Sequence, residues 1–241
     1  MVIFPHRKFI RKLSDNFFSG EINAPYYLAS PTRGSIFPRA DGKRVTNLQP
    51  LFTKKAQFLI RVPCSLKLSQ KPAEMILQYG HGLFGTELNY FHELRIFWSF
   101  LLGLRTHFFV FPFLGSRSEG MTRHLRRISN NYNYVLVAMD WYGMSKHDVP
   151  VVAKWLMSDM SNFVSLPEMT TQGFVFKSLM LRVMKGILAK DQMLYVGEVP
   201  LLSQNTPVGY YGNSQGGIIG AAYVASSRDL KRGVLGKHIQ I

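Results

Sequence analysis

Cysteine and acidic residues are what this chain has least of. Its 241 residues hold one cysteine, Cys64. A single thiol excludes an intramolecular disulfide framework and any cysteine-rich zinc site. Against 29 lysines and arginines stand only 14 aspartates and glutamates, for a formal net charge of +15. Such an excess brings nucleic acid and anionic membrane surfaces into consideration. The basic residues are scattered, however: Arg7, Lys8, Arg11 and Lys12, then the span from Arg33 to Arg61, then Arg123, Arg126 and Arg127. They come without an RNA-binding aromatic signature, a zinc-finger spacing or a long basic helix. No nucleic-acid partner is expected. The opening stretch MVIFPHRKFIRKLSDNFFSG is charged but has no uninterrupted apolar core of the kind a secretory signal needs. A cytoplasmic location is favoured.

A hydrophobic share of 46% and an aromatic share of 13% suit a globular α/β protein. Residues 1–55 are rich in turn formers and read as an irregular N-terminal extension with short strands. AQFLIRVP (56–63), PAEMILQYG (72–80), YNYVLVAMD (132–140) and PVGYYG (207–212) read as strands. Between them, Met121, Leu125 and Ile128 recur at helical spacing behind a Ser118 cap. Leu179, Val183 and Ile187, with Met180, Met184 and Leu188, form a broad apolar helical stripe. Buried strands alternating with helices predict a doubly wound, mainly parallel sheet.

Two glycine motifs carry chemistry. Gly80, Gly82 and Gly85 in YGHGLFG satisfy the dinucleotide fingerprint G-x-G-x-x-G. That site needs a helix at once and an acid closing the next strand, and the following TELNYFHELRIFWSFLLG supplies neither. The second motif, GYYGNSQGGIIG (209–220), sets Ser214 between Gly212 and Gly216 as G-x-S-x-G, after a strand and before a small-residue helix. A serine on such a turn is a candidate nucleophile, and a His-Gly loop after an earlier strand is a candidate oxyanion cradle.

These two motifs, with AMDWYGMS (138–145) between them, make the sequence resemble the α/β-hydrolase superfamily over roughly residues 56–236. The resemblance implies Ser214 as the nucleophile. It implies an oxyanion hole from the amides of Gln215 and Leu83, flanked by Gly82. Gly212 and Gly216 would support the elbow, and Asp140 would bond the amides of its D-x-x-G-x-x-S-type turn. Residues 149–205 would be a helical insertion forming part of a cap. The substrate would be a small ester or other acyl compound, with no metal or organic cofactor. Superfamily order also demands an acid and then a histidine after the serine. Downstream of Ser214 stand only Asp229, at a helix end, and His238, too early for the fold. The C-terminal strands, acid and histidine are therefore expected beyond residue 241, and the chain is expected to be impaired as it stands. The rival readings are a non-catalytic binding protein of the same architecture, a dinucleotide-dependent oxidoreductase and a membrane-associated protein.

The phenylalanine-heavy block 86–115 interrupts the passage from oxyanion loop to helix. Arg105 and His107 count against a membrane span, although peripheral membrane contact through 96–115 stays open. The near-duplicate junctions LFG and FLG allow a retained intron, whose removal between Gly85 and Gly115 would join the loop directly to the capped helix.

Overall fold

Alternation along the strands decides how the sheet is covered. The computed structural model describes residues 10–14, 16–45, 48–83 and 123–236. The 86–115 block, Gly85, Ser118, Met121 and the tail carrying His238 lie outside the described residues. The chain begins with strands Ile10–Ser14 (β1) and Phe17–Tyr26 (β2), then a small hairpin, Arg39–Ala40 (β3) and Lys43–Arg44 (β4). Phe52–Arg61 (β5), helix Cys64–Ser69 (α1) and Met75–Gly80 (β6) follow. After these come Arg123–Tyr132 (α2), Tyr134–Ala138 (β7), Val149–Ser158 (α3) and Ser165–Lys185 (α4). A second hairpin, Tyr195–Val196 (β8) with Val199–Pro200 (β9), leads to Val208–Asn213 (β10), Gln215–Ser226 (α5) and Gly233–Gly236 (β11).

Among the described residues the central sheet has seven strands in the order β1-β2-β5-β7-β6-β10-β11. The run β7-β6-β10-β11 is parallel, and β5, β2 and β1 add to it antiparallel. On β6 and β7, Ile76, Val135 and Val137 face Phe176 and Met180 of α4 and Tyr223 of α5. Met75, Leu77, Tyr79 and Leu136 point the other way, onto Leu125 of α2. Helices thus cover both faces, as the near-continuous apolar strands require. Each aliphatic or aromatic side chain fully buried this way stabilises the fold by roughly 1.5–3 kcal/mol.

The N-terminal region differs from the expected excursion. Phe17–Tyr26 is a single ten-residue strand paired along its length with β5. Phe18, Ile22, Ala24 and Tyr26 alternate inward, while the Gly, Glu, Asn and Pro between them gave the stretch a turn-like composition. Pro25 is tolerated because β1 pairs only with residues 17–20, leaving Pro25 bonded from the β5 side alone.

Among the described residues, no helix is long and apolar enough to cross a membrane.

Candidate active site

The C-terminal ends of β6, β7 and β10 bring three loops together. Where β10 meets α5, Ser214 adopts φ 51° and ψ −117°. That pair of angles lies outside the allowed regions for an L-residue, the left-handed helical region included. The turn is held from several sides by backbone. The Ser214 N–H donates to the Gly236 carbonyl at 2.8 Å, and the Ser214 carbonyl accepts from Gly217 N at 2.8 Å. The Tyr210 hydroxyl donates to the Gly216 carbonyl at 2.6 Å. The two motif glycines are there for space. A Cβ on Gly212 would run into the Gly216 carbonyl, and one on Gly216 into the backbone of Gly80 and His81. That close approach also packs the His-Gly loop directly against the serine turn. The Asn213 side-chain oxygen is buried without a hydrogen-bond partner among the described residues, and its backbone is paired with Gly236 of β11.

His81 is 2% exposed and bridges the loop after β6 to the loop after β7. The Trp141 N–H donates to Nε2 at 2.8 Å, and Nδ1 lies 2.7 Å from the Gly82 carbonyl. An acceptor at Nε2 places the proton on Nδ1, so the ring is neutral and donates to Gly82. Burial pushes its pKa down to about 3, the Gly82 bond opposes this, and the nearby Lys177 charge adds to it. Both nitrogens are engaged, so this imidazole pins loops and has no lone pair to offer a serine.

Beneath the same loops lies Lys177 of α4, fully buried. Its ammonium donates to the Met139 carbonyl at 2.7 Å and to the Tyr79 carbonyl at 3.4 Å, and sits 4.2 Å from the Trp141 ring centroid. A buried cation is tolerated when carbonyls and an aromatic face replace its water. It ties the ends of β6 and β7 to the long helix.

The turn at 141–148 is organised by Asp148. Asp148 Oδ2 accepts from Gly143 N at 3.0 Å, Ser145 N at 2.9 Å and Ser145 Oγ at 2.6 Å. Its Oδ1 pairs with Arg33, which reaches in from the N-terminal region. Asp140 lies between two histidines, its oxygens 3.9 Å from His81 Nε2 and 3.8 Å from His147 Nε2.

No protein-family profile matches the chain, and no curated protein does. Solved structures are similar at low levels. A cold-adapted esterase from an Arctic intertidal metagenomic library aligns at TM-score 0.42 and 11% identity, covering 95% of this chain and 64% of its own. Prolyl oligopeptidase B from Galerina marginata aligns at 0.37 and 10% identity, over 91% of this chain and 27% of its own. Acetyl xylan esterase 1 from Thermoanaerobacterium aligns at 0.35 and 14%, over 87% and 54%. The chain spans less than two-thirds of each.

The structure joins Gly212, Ser214, Gln215 and Gly216 to the loop that carries His81 and Gly82, in which Leu83 is exposed. Asp229 stays away from this cluster, ion-paired with Arg182 at 2.9 Å. His124 leans on the Tyr211 ring, with centroids 6.2 Å apart. Sequence reading missed Asp148 and Lys177. The first had a local signal: Ser145-x-x-Asp148 is a capping-box pattern, and the box is formed. Lys177 had none, because nothing in a helical stripe marks one lysine as buried.

Proposed function

We propose that Ser214 is the nucleophile of an acyl hydrolase, attacking an ester or related acyl carbonyl. The observation that carries this reading is the Ser214 backbone. A conformation of this kind costs about 1–3 kcal/mol and persists only where the surrounding structure over-determines it. Here Gly212, Gly216, the Tyr210 hydroxyl and the Gly236 carbonyl all do so. A serine needed only to fill a tight turn would relax.

The helix that starts at Gln215 supplies the electrophilic half. The first N–H groups of a helix have no acceptor within it, and the dipole there favours negative charge. The Gln215 amide, with that of Leu83 across the gap and Gly82 shaping the loop, would hold the tetrahedral oxyanion. His81 acts by positioning: its two hydrogen bonds hold the Gly82 end of the loop to Trp141. As Ser214 Oγ bonds to the carbonyl carbon, its proton passes to a base. The base returns it to the departing alcohol, and water then cleaves the acyl-serine. His81, bonded at both nitrogens, is not that base, and the histidine and acid of the reading are expected outside the described residues.

This last point favours a second reading, a non-catalytic binding protein of the same architecture. A fluorophosphonate probe separates the two. The first reading expects covalent labelling mapped to Ser214 and absent in Ser214→Ala. Folded protein that stays unlabelled on prolonged incubation, or labels equally in both forms, leaves the binding reading.

A further inference from the structure

Between α3 and α4 the chain turns large apolar side chains outward. Helix α3 and the 3₁₀ turn Met160–Val164 after it are held from within by Val152, Trp155 and, at the start of α4, Leu166, all buried. On the outside, Met157 is 71% exposed, Met160 59%, Phe163 53% and Val164 42%. Side chains three apart in a 3₁₀ turn lie above one another, so Met160 and Phe163 share a face. The Leu166 backbone and the Met169 side chain lie against Gly143, in the turn after β7. That contact puts the segment at the C-terminal ends of the parallel strands, the end that carries Ser214.

Scattered apolar residues on a surface are ordinary, whereas a cluster marks a place where another body sits. The residues interleaved with these four, Ser158, Asp159, Ser161 and Asn162, are polar and exposed as well. A dry protein interface would have to strip them of water. The headgroup layer of a bilayer keeps them wet while apolar tips reach the acyl boundary. Four anchors are also few for a protein partner, which typically engages about 20–30 residues a side. Charge selects the kind of bilayer. Lys154 is exposed one turn before Met157, and Arg39 pairs with Glu168 in the first turn of α4, which sets the β3–β4 hairpin and its exposed Lys43 beside the segment. The carboxylates nearby are Asp41 at the hairpin tip, Asp159, whose Oδ1 accepts from the Ser161 amide, and Glu168, buried against Arg39. Local charge is thus close to balanced, and the long-range attraction comes from the whole chain, whose formal net charge of +15 favours an anionic surface.

We propose that Met157, Met160, Phe163 and Val164 dock this end of the molecule on an anionic lipid bilayer by shallow insertion, to the depth of about 5–10 Å usual for interfacial segments. Methionine suits such a surface, because its unbranched side chain adapts to an irregular apolar medium. The inference does not rest on the reading of Ser214.

Flotation of the full chain with phosphatidylcholine vesicles, with and without phosphatidylglycerol, is the test. The wild type is expected to float with the anionic vesicles and much less with the neutral ones. The double variant Met160→Ser/Phe163→Ser alters two exposed side chains, so the fold should hold while binding weakens by about tenfold or more. Phe163→Trp keeps an apolar anchor, and bromine-labelled lipid tails in anionic vesicles should quench its fluorescence beyond the quenching seen in the wild type. The proposal is overturned if folded wild type does not float, floats equally with neutral vesicles, or floats no better than the double variant. Phe163→Trp that floats without added quenching overturns it too, since the chain would then meet lipid elsewhere. Wild type that dimerises without vesicles, where the double variant does not, would assign the face to a second copy and overturn it as well.

Discussion

The two ends of the parallel strands are built on opposite principles. At the Ser214 end, every buried charge named above meets a partner within the protein. Lys177 donates to two carbonyls, Asp148 accepts from two amides and a hydroxyl and pairs with Arg33, and His81 is neutral with both nitrogens bonded. Backbone meets backbone there so closely that glycine is required. At the opposite end, where the parallel strands begin, Arg61, Arg126 and Arg127 line an arginine cleft of about 620 Å³ together with Ser14, Asn16, Asn130 and Asn131. The Ser214 end, with its strained backbone, is over-determined from within, while the arginine end places like charges near one another. Steric defects should therefore be severe at the first end and slight at the second, and electrostatic changes should reverse sign between them.

The largest effect expected is from Gly216→Ala, whose Cβ would meet the Gly80 and His81 backbone and not a flexible side chain. Overpacking against backbone should cost about 3 kcal/mol in urea unfolding, at the upper end of such changes. Asn131→Ala, exposed in the arginine cleft, should stay within about 0.5 kcal/mol. Equal costs would collapse the distinction.

Next is Asp148→Ala, which strands two amides, a hydroxyl and the Arg33 guanidinium at once. A loss of roughly 2–3 kcal/mol is expected. Asp148→Asn keeps one acceptor oxygen and should recover part of it. A neutral Asp148→Ala would mean that the turn at 141–148 is held by packing alone.

What could be read in advance divides along the same line. The strands at 75–80, 134–138 and 208–213, and the glycines around Ser214, were legible because their signals are local: a run of apolar residues, and a spacing of two. β2 was not, because its inward positions alternate with residues that read as turn formers, and its stability comes from ten pairings with a strand some thirty residues on. Asp148 was half legible, through Ser145, but its partner Arg33 lies 115 residues away. The arginine cleft could not be read at all. Arg61 is followed at a distance by Arg126 and Arg127, and only the tertiary fold, with the register of β5 against β7, brings those positions around one cleft.

A pH titration sharpens the comparison at the Ser214 end. An unfolded histidine titrates near 6.5, whereas folded His81 does so at about 3. Between these values the unfolded chain binds the extra proton, so stability falls as pH drops through that window. Above the unfolded pKa the contribution is fully present. The slope attributable to His81 should approach about 1.4 kcal/mol per pH unit. His81→Gln retains an acceptor for the Trp141 amide but cannot titrate, so its stability profile from pH 6.5 to 4 should be flatter by that amount. Parallel profiles would show that the ring is not held neutral by its surroundings.

The smallest effect belongs to the arginine end and carries the opposite sign. Arg126 is exposed, and its charge helps to lower the pKa of Arg61. Removing it as Arg126→Gln relieves a like-charge contact while leaving the helix free to solvate the amide. Because the contact is half in water, the gain should be roughly 0.3 kcal/mol at low salt, the scale of exposed charge pairs. In about 1 M sodium chloride, where screening shortens the reach of a charge to ~3 Å, wild type and variant should converge. A variant less stable than wild type at low salt would mean that Arg126 is held by favourable contacts within the chain that outweigh its repulsion from Arg61.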